Sequence, residues 1–421
     1  MNVFIHSLGC RLNQSEMEEL AQQLTAAGQR LVAHPAQADV CVLNTCAVTA
    51  EAERKSCHTV RALARANPRA RIAVLGCAAT LAPHRYAGLP GVAWVFANAD
   101  KASAAERIAG VANPPTDGVP IATGGVPPLL RTRALVKVQE GCDQACTYCI
   151  TRFLRGPARS RPVEGIVAQV NALAAAGVQE AVLTGVNLGA YGRDLGLASG
   201  LRGLVEALLA RTGIPRLRLS SLEPWDVDEG FLALWADPRL CRQLHLPLQS
   251  GCDQILRRMA RPISTQRFAS IAKRARAFVP DLALTTDILV GFPGEDEPAF
   301  RASYDFVAGL EFARLHVFPF SPRPGTAAAD MPEQVAPPVR QERAREMREL
   351  GQQQSARFRT RFLGRTVAVL WEARGPDGRW CGLTDNYLRV LAHSEADWHN
   401  RITRVRLVAC EGECLIAEPV E

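Results

Sequence analysis

Three cysteines stand within eight residues in the stretch GCDQACTYCI, residues 141–150, and no fourth cysteine lies nearby. Structural zinc sites use four ligands, typically in C-x2-C pairs, so the spacing C-x3-C-x2-C indicates a different kind of centre. A [4Fe-4S] cluster held by the thiolates of Cys142, Cys146 and Cys149 has one iron without a protein ligand. The stretch therefore predicts an iron-sulfur cluster with one position open to an exchangeable molecule.

The sequence around this stretch alternates strand and helix signals from residue 134 to about residue 319. Six short apolar segments are predicted to be strands, at residues 135–138, 181–183, 217–219, 243–246, 284–290 and 314–317. Successive βα units predict a full or partial (β/α)6 barrel of the TIM type, with its site at the C-terminal ends of the strands. The cysteine stretch follows the first strand, so the cluster is expected at the mouth of the barrel.

Polar residues and glycines follow four of these strands, where such a barrel builds its site. For each segment taken alone, an ordinary βα turn is the alternative interpretation. The residues predicted to surround a cofactor at the open iron are Tyr148, Gly185, Asn187, Ser221, Glu223, His245, Gln249 and Gly291.

Residues 1–112 show an earlier βαβαβ alternation, with strands predicted at residues 3–8, 40–43 and 72–75, which indicates a parallel sheet. Ser15 and Glu18 have the spacing of a capping box at a helix start. Cys10, Cys46 and Cys77 each follow one of the three strands by one to three residues. Parallel strands end along one edge, where open α/β sheets bind ligands, so the three thiolates could converge on a second metal site. Ordinary buried cysteines are the alternative.

Residues 113–133 contain the segment NPPTDGVPIATGGVPP and are predicted to form a linker, because proline and glycine are frequent and no apolar period is present. A core domain is then expected at residues 134–355. Its last part is an Arg-rich helix over residues 334–358, with an interruption near Pro337 and Pro338. Beyond it, a small β-barrel at residues 356–421 is predicted from short segments at 366–371, 380–383, 388–391, 404–408 and 414–417.

Basic residues are concentrated near the C-terminus, and two aromatic residues, Phe358 and Phe362, lie among them. Cations contact RNA phosphates, and exposed aromatic rings stack on unpaired bases. The alternative is a solvated helix face with the aromatic rings in the core. The residues predicted to bind RNA are Arg357, Arg359, Arg361 and Arg365.

The composition is that of an ordinary globular chain, with 421 residues, 48% hydrophobic residues, 22% charged residues and a net charge of +7. Every apolar run is broken before the roughly 20 residues that a membrane span requires. The first residues do not resemble a secretion signal. We therefore expect a cytoplasmic protein without membrane association, whose 13 cysteines serve metal or redox chemistry rather than disulfides.

Several motifs in the same order resemble the methylthiotransferase family of radical S-adenosylmethionine enzymes over essentially the whole chain. They are GCRLNQSE at 9–16, NTCAVT at 44–49, LGC at 75–77, the cysteine stretch, HLPLQSG at 245–251 and VGFPGE at 290–295. The resemblance implies an α/β protein with an auxiliary [4Fe-4S] cluster on Cys10, Cys46 and Cys77. It also implies a radical S-adenosylmethionine core with a [4Fe-4S] cluster on Cys142, Cys146 and Cys149, and a C-terminal barrel of the TRAM type.

The resemblance also implies the reaction. One S-adenosylmethionine donates a methyl group to sulfur at the auxiliary cluster, and a second is reductively cleaved to a radical that abstracts hydrogen from the substrate. An electron donor such as flavodoxin or ferredoxin is implied, and no side-chain acid or base is required.

The substrate is implied by segments RLNQ at 11–14, AVT at 47–49 and TGVNLG at 184–189. They resemble the branch that adds a methylthio group to C2 of N6-threonylcarbamoyladenosine at position 37, in the anticodon stem-loop of tRNA. Three alternatives are action on isopentenyladenosine 37, action on a ribosomal protein aspartate, and a noncatalytic iron-sulfur protein that binds RNA.

Overall fold

The computed structural model describes residues 1–110 and 132–420. The N-terminal domain has the strands β1 (Asn2–Ser7), β2 (Arg30–Leu31), β3 (Val40–Thr45), β4 (Arg71–Gly76) and β5 (Val92–Phe96). They form one parallel sheet in the order β2-β1-β3-β4-β5. The helices are α1 (Arg11–Ala26), α2 (Ala50–Ala66), α3 (Cys77–Leu81), α4 (Pro83–Ala87) and α5 (Ala104–Ala109).

The three predicted strands of this sheet are confirmed as β1, β3 and β4, and they occupy its centre. Every residue of β3 is buried, as expected for a parallel strand covered by helices on both faces. The prediction missed β2, which has two residues, and β5, which is a partly exposed edge strand. β2 is too short to show a pattern, whereas β5 is a continuous apolar run, VAWVF, that the prediction overlooked.

Helix α1 begins before the predicted capping box, so that prediction is wrong. Cys10 occupies the N-cap position, and Ser15 lies inside the helix, where its Oγ donates a hydrogen bond to the Leu12 carbonyl at 3.0 Å. Gly9 has φ of +95°, and this left-handed residue reverses the chain directly after β1. Because the turn is so short, the helix starts at Arg11.

The core domain contains six parallel strands in chain order, which confirms each predicted strand of the barrel. They are β6 (Arg133–Lys137), β9 (Glu180–Thr184), β10 (Arg216–Leu219), β11 (Gln243–His245), β12 (Ala283–Val290) and β13 (Arg314–Pro319). The first three and the last three form separate ladders, and a parallel bridge between Ser221 and His245 joins them. In the part of the chain that the structure describes, β6 and β13 do not pair, so the barrel is partial.

Two short strands, β7 (Gln139–Glu140) and β8 (Arg159–Ser160), pair antiparallel and flank the cysteine stretch. The remaining helices of the core precede the C-terminal region. They are α6 (Thr151–Arg155), α7 (Val163–Ala175), α8 (Gly200–Arg211), α9 (Glu229–Leu232), α10 (Asp253–Arg258), α11 (Thr265–Phe278) and α12 (Glu297–Gly309).

Helix α13 (Pro337–Thr360) connects the core to the C-terminal barrel. The predicted interruption near Pro337 and Pro338 is wrong, because the two prolines form the first turn of the helix. A proline is tolerated there, since the N–H that it lacks would have no partner within the helix.

The C-terminal domain is a closed barrel in the order β14-β15-β16-β18-β17, and its five predicted strands are confirmed. The strands are β14 (Thr366–Arg374), β15 (Trp380–Thr384), β16 (Arg389–Ala392), β17 (Ile402–Glu411) and β18 (Cys414–Pro419). The expectation that Phe358 and Phe362 stack on bases is wrong. Both rings pack in the core of this barrel, so the alternative of core aromatics is confirmed.

The predicted linker at residues 113–133 lies outside the described residues, except for its last two positions. Of these, Arg133 already begins β6, where its backbone pairs with Glu180. Among residues 1–110 and 132–420, no helix combines the length and the apolar character needed to cross a membrane.

Candidate active site between two cysteine triplets

Cys142, Cys146 and Cys149 lie on the loop between β7 and α6, and all three are partly accessible to solvent. The loop begins at Gly141, where φ is +73° and a Cβ atom would lie 1.8 Å from the Pro157 carbonyl oxygen. Only glycine fits this position. The loop is also held by Thr147, whose N–H and Oγ1 donate hydrogen bonds to the Met259 and Arg258 carbonyls at the end of α10, at 3.1 and 2.9 Å.

The electrostatics of this triplet depend on one arginine. Burial raises the pKa of the Cys146 thiol, and Arg261 opposes that rise from 4.0 Å away. The same guanidinium forms an ion pair of 2.7 Å with Glu223, so it is fixed beside the sulfur. Sequence reasoning missed Arg261, because no local motif shows which residue of α10 or its following turn faces the cysteine loop.

The chemistry of the donors fits a [4Fe-4S] cluster with one open iron, since the loop offers three soft thiolates and no fourth. In the described part of the chain, no three Cys, His, Asp or Glu side chains converge as ligands of one metal ion. In a [4Fe-4S] cluster each thiolate binds a different iron, so three such sulfurs need not converge on one ion.

The strand ends around this triplet are organised by Gln139, a second residue that sequence reasoning missed. Its Oε1 accepts hydrogen bonds from the N–H groups of Val186 and Asn187, both at 3.0 Å. A Cβ atom on Gly185 would lie 2.9 Å from the same oxygen, so this glycine lets the two segments approach. Asn187 is 4% exposed, and its Oδ1 has no hydrogen-bond partner among the described residues. This amide therefore carries an unused acceptor at the predicted site.

His245 and two other predicted residues border the lumen of the barrel. The His245 Nδ1 lies 2.9 Å from Thr285 Oγ1, and its Nε2 lies 3.3 Å from Asp287 Oδ1. Ser221 pairs with His245 through the bridge that joins the two ladders. Gln249 adopts φ of +73°, and its N–H donates a hydrogen bond of 2.8 Å to the Asp287 carbonyl.

Two of the residues predicted to surround the cofactor, Tyr148 and Gly291, pack against other side chains of the protein. Tyr148 packs on an apolar cluster that includes Met259 and Phe292, and burial raises its pKa. At Gly291, a Cβ atom would lie 2.3 Å from the Arg340 Cγ. Tyr148 therefore anchors the cysteine loop on the packed interior, and Gly291 lets Arg340 approach the end of β12.

The second triplet lies at one edge of the N-terminal sheet, as predicted. Cys10, Cys46 and Cys77 follow the adjacent strands β1, β3 and β4. Burial raises the pKa of the Cys46 thiol, and the nearby Cys77 and Cys10 raise it further, so the three sulfurs interact. Asn98 donates a hydrogen bond of 3.6 Å to the Cys77 sulfur. Three soft donors without a fourth protein ligand also fit an iron-sulfur cluster here.

A cavity of about 260 Å³ opens beside this second triplet. Lys55 is an exposed cation in its wall and forms no ion pair with any residue that the structure describes. Its other lining residues are Leu8, Gly9, Cys46, Thr49, Glu51 and Ala52.

A buried polar network joins the supports of the two triplets. Arg155 follows the first triplet, and its guanidinium contacts Glu16 Oε1 at 2.7 Å and Asn13 Oδ1 at 2.6 Å. Lys101 forms a second ion pair with Glu16. Burial opposes ionisation of Glu16, but Lys101 and Arg155 outweigh it and hold its pKa far below the usual range. The N-terminal domain and the core are therefore locked together at the site.

The four arginines predicted to bind RNA do not form one free basic patch. Arg365 forms an ion pair of 2.6 Å with Asp281, and Arg359 donates hydrogen bonds to Ser355 and to the Gly412 carbonyl. Arg357 and Arg361 are exposed. Two further exposed arginines, Arg404 and Arg406, alternate along β17 and were missed, since alternation predicts only which strand face is polar.

Two family models match separate parts of the chain. Residues 2–97 match the family described as "Uncharacterized protein family UPF0004". Residues 136–307 match the radical SAM superfamily. A solved structure of the radical S-adenosylmethionine methyltransferase TsrM from Kitasatospora setae has a TM-score of 0.58 and 15% identity, covering 78% of this chain and 75% of that one. This likeness shows the fold.

Curated relatives extend along almost the whole chain. The threonylcarbamoyladenosine tRNA methylthiotransferase MtaB of Bacillus subtilis is 34% identical, over 96% of this chain and 93% of its own length. MtaB of Thermotoga maritima is 36% identical, over 97% and 95%. The tRNA-2-methylthio-N(6)-dimethylallyladenosine synthase of Chloroflexus aurantiacus is 32% identical, over 96% and 89%.

The partial barrel with a three-cysteine loop at its mouth, together with the superfamily match, defines a radical S-adenosylmethionine enzyme. The cofactors of this class are an iron-sulfur cluster and S-adenosylmethionine. The full-length relatives are more specific: the chain belongs to the methylthiotransferase family and is most like MtaB among the relatives named above.

Proposed function

We propose that this enzyme adds a methylthio group to C2 of N6-threonylcarbamoyladenosine at position 37 of tRNA, with the anticodon stem-loop as its substrate. The observation that carries the proposal is the pair of cysteine triplets, whose supports meet in the Arg155–Glu16 ion pair. When bound, one [4Fe-4S] cluster on each triplet would supply the radical chemistry and the sulfur chemistry, respectively. A substrate base between them would meet both.

The chain's own residues have positioning roles in this proposal. Arg261 holds a positive charge beside Cys146, and Asn187 offers its unpaired Oδ1 to S-adenosylmethionine. His245 and Gln249 are proposed to border the same cofactor. The remaining predicted contacts, Tyr148, Gly185, Ser221, Glu223 and Gly291, are proposed to shape its pocket, and Arg357 and Arg361 to meet RNA phosphates.

The chemistry of the cavity beside Cys46 favours threonylcarbamoyladenosine over dimethylallyladenosine as the substrate. A threonylcarbamoyl group ends in a carboxylate and a hydroxyl, whereas a dimethylallyl group is apolar. Lys55 is a cation without an ion-pair partner among the described residues, and it lines this cavity. An unpaired ammonium group attracts a carboxylate and gains nothing from a hydrocarbon.

Nucleoside analysis of tRNA tests this proposal. A strain lacking the protein is expected to lose 2-methylthio-N6-threonylcarbamoyladenosine, to regain it with the wild-type gene, and not to regain it with Cys142→Ala. Loss of the methylthio group from the dimethylallyl nucleoside instead would assign the other tRNA branch. Unchanged levels of both nucleosides would refute a tRNA substrate. A cytoplasmic location and a donor of the flavodoxin or ferredoxin type belong to the same proposal.

A further inference from the structure

Strand β13 carries three exposed side chains on one face. Arg314, His316 and Phe318 alternate with Leu315 and Val317, which pack against the helices of the core. Phe318 is 42% exposed, which is unusual for a large aromatic residue in a barrel strand. We call these three residues the β13 row.

The row faces the lumen of the barrel. In the parallel register, Thr285 lies beside Arg314 and Asp287 lies beside His316. Thr285 and Asp287 both contact His245, and the His245 and His316 rings meet edge to face at 5.5 Å. Since paired residues of neighbouring strands point to the same face, the row points inward.

Neighbours link the row to both cysteine segments. Phe318 is in register with Leu289, which packs on the same apolar cluster as Tyr148 of the cysteine loop. On the other side, Arg11 follows Cys10. Although the His316 ring is accessible to solvent, the walls of the barrel enclose it, and this desolvation lowers its pKa to about 4. His245, Arg314 and Arg11 lower it as well, against the opposing effect of Asp287. The imidazole is therefore neutral at pH 7 and presents a flat uncharged ring.

Arg314 at the start of the row forms no ion pair with any residue in the described ranges. A free guanidinium followed by two flat rings suits single-stranded RNA, because cations contact the phosphate and aromatic faces stack on the base. Enzymes that modify a base must reach it outside the helical stack.

We propose that the β13 row binds one nucleotide of the substrate RNA in the lumen, with Phe318 stacked on the base and Arg314 at the phosphate. The proposal rests on the proposed tRNA substrate. It assigns to β13 the task of presenting the base between the cysteine segments.

Binding of a fluorescent anticodon stem-loop to the reconstituted full chain tests the row. Loss of one base stack costs about 1–3 kcal/mol, so Phe318→Ala is expected to raise the RNA Kd about 5- to 150-fold. Phe318→Trp should bind within about twofold of wild type, since it keeps an aromatic face. Phe318→Leu should fail like alanine, although it keeps an apolar side chain. Arg314→Gln should make the slope of log Kd against log salt concentration shallower, by the amount that corresponds to about one lost phosphate contact.

Phe278→Ala is the matched control, because Phe278 is 44% exposed at the end of α11, before β12 begins. It should leave RNA binding unchanged. The Kd of S-adenosylmethionine without RNA should also be unchanged in Phe318→Ala, and a parallel loss there would overturn the proposal in favour of a cofactor contact. An unchanged RNA Kd in Phe318→Ala would overturn the proposed role of the β13 row and leave the proposed function standing. Wild-type protein that does not bind the stem-loop would overturn the proposed function as well.

Discussion

Arg155 donates a hydrogen bond of 2.6 Å to Asn13, a residue 142 positions earlier in the chain. Asn13 in turn donates through its Nδ2 to the Leu8 and Thr45 carbonyls, at 2.7 and 3.0 Å, which precede Cys10 and Cys46. Arg155 itself follows Cys149 at the end of α6. One guanidinium thus fixes the segments that carry both triplets.

Replacement of Arg155 by alanine is expected to destabilise the protein by about 3–5 kcal/mol, because Glu16 and Asn13 would be left buried without their partner. Urea unfolding of the anaerobically purified protein measures this change. Arg152→Ala on the same helix is the control, since Arg152 is exposed, and it should change the free energy of unfolding by less than about 0.5 kcal/mol. Equal effects of the two variants would contradict a structural role for the network.

Iron content tests whether each triplet holds a cluster. Anaerobically reconstituted wild-type protein is expected to bind about eight irons, and Cys142→Ala or Cys46→Ala alone about four. Cys410→Ala removes an exposed cysteine outside both triplets and should retain the full content. A wild-type value of about four would contradict the two-cluster site.

Glu295 is expected to make stability depend on pH. Burial raises its pKa to about 7, although the Gly291 N–H and Arg343 oppose the rise. The folded state therefore holds a proton that the unfolded state loses above about pH 4.5, so this stability is present at low pH and lost as the pH rises toward 7. Relative to Glu295→Gln, the wild type should lose up to about 3 kcal/mol of unfolding free energy across that window.

Urea unfolding of both proteins at intervals between pH 5 and pH 8 measures this difference. Glu164→Gln provides the comparison, because Glu164 is exposed on the surface. Its difference from wild type should stay nearly constant over that range. A constant difference for Glu295→Gln would show that the Glu295 carboxylate stays ionised in the folded protein.

Lys55→Met is expected to impair turnover of RNA that contains threonylcarbamoyladenosine, by raising KM about 10-fold, which corresponds to about 1.4 kcal/mol of lost charge-assisted binding. A stem-loop with dimethylallyladenosine has no carboxylate to bind, so its Kd should be the same for Lys55→Met and for the wild type. Arg54→Ala, the exposed neighbour on α2, is the control. Equal losses with Arg54→Ala would attribute the effect to general RNA electrostatics rather than to the cavity.

Local sequence patterns were sufficient to predict the structural features whose physical cause lies in neighbouring residues. A run such as that of β3 is apolar because both faces of a parallel strand are covered, so the barrel and the centre of the N-terminal sheet could be predicted. The same holds for Cys142, Cys146 and Cys149, whose spacing within one loop limits the number of thiolates available to a cluster. The true start of α1 could not be predicted, because the Gly9 turn decides it, whereas the apolar run of the edge strand β5 was overlooked.

The barrel class and the loop of Cys142, Cys146 and Cys149 could be read from the sequence, because strand periodicity and short cysteine spacing are properties of neighbouring residues. Cys10, Cys46 and Cys77 are far apart in the chain, and they were proposed as ligands because each follows a predicted strand. Tertiary structure alone decided that Arg155 meets Asn13, that Arg261 lies beside Cys146, and that Phe358 is in a core while Phe318 is exposed in the lumen. Those outcomes depend on residues far apart in the chain. Packing brings such residues together, and packing depends on the whole fold.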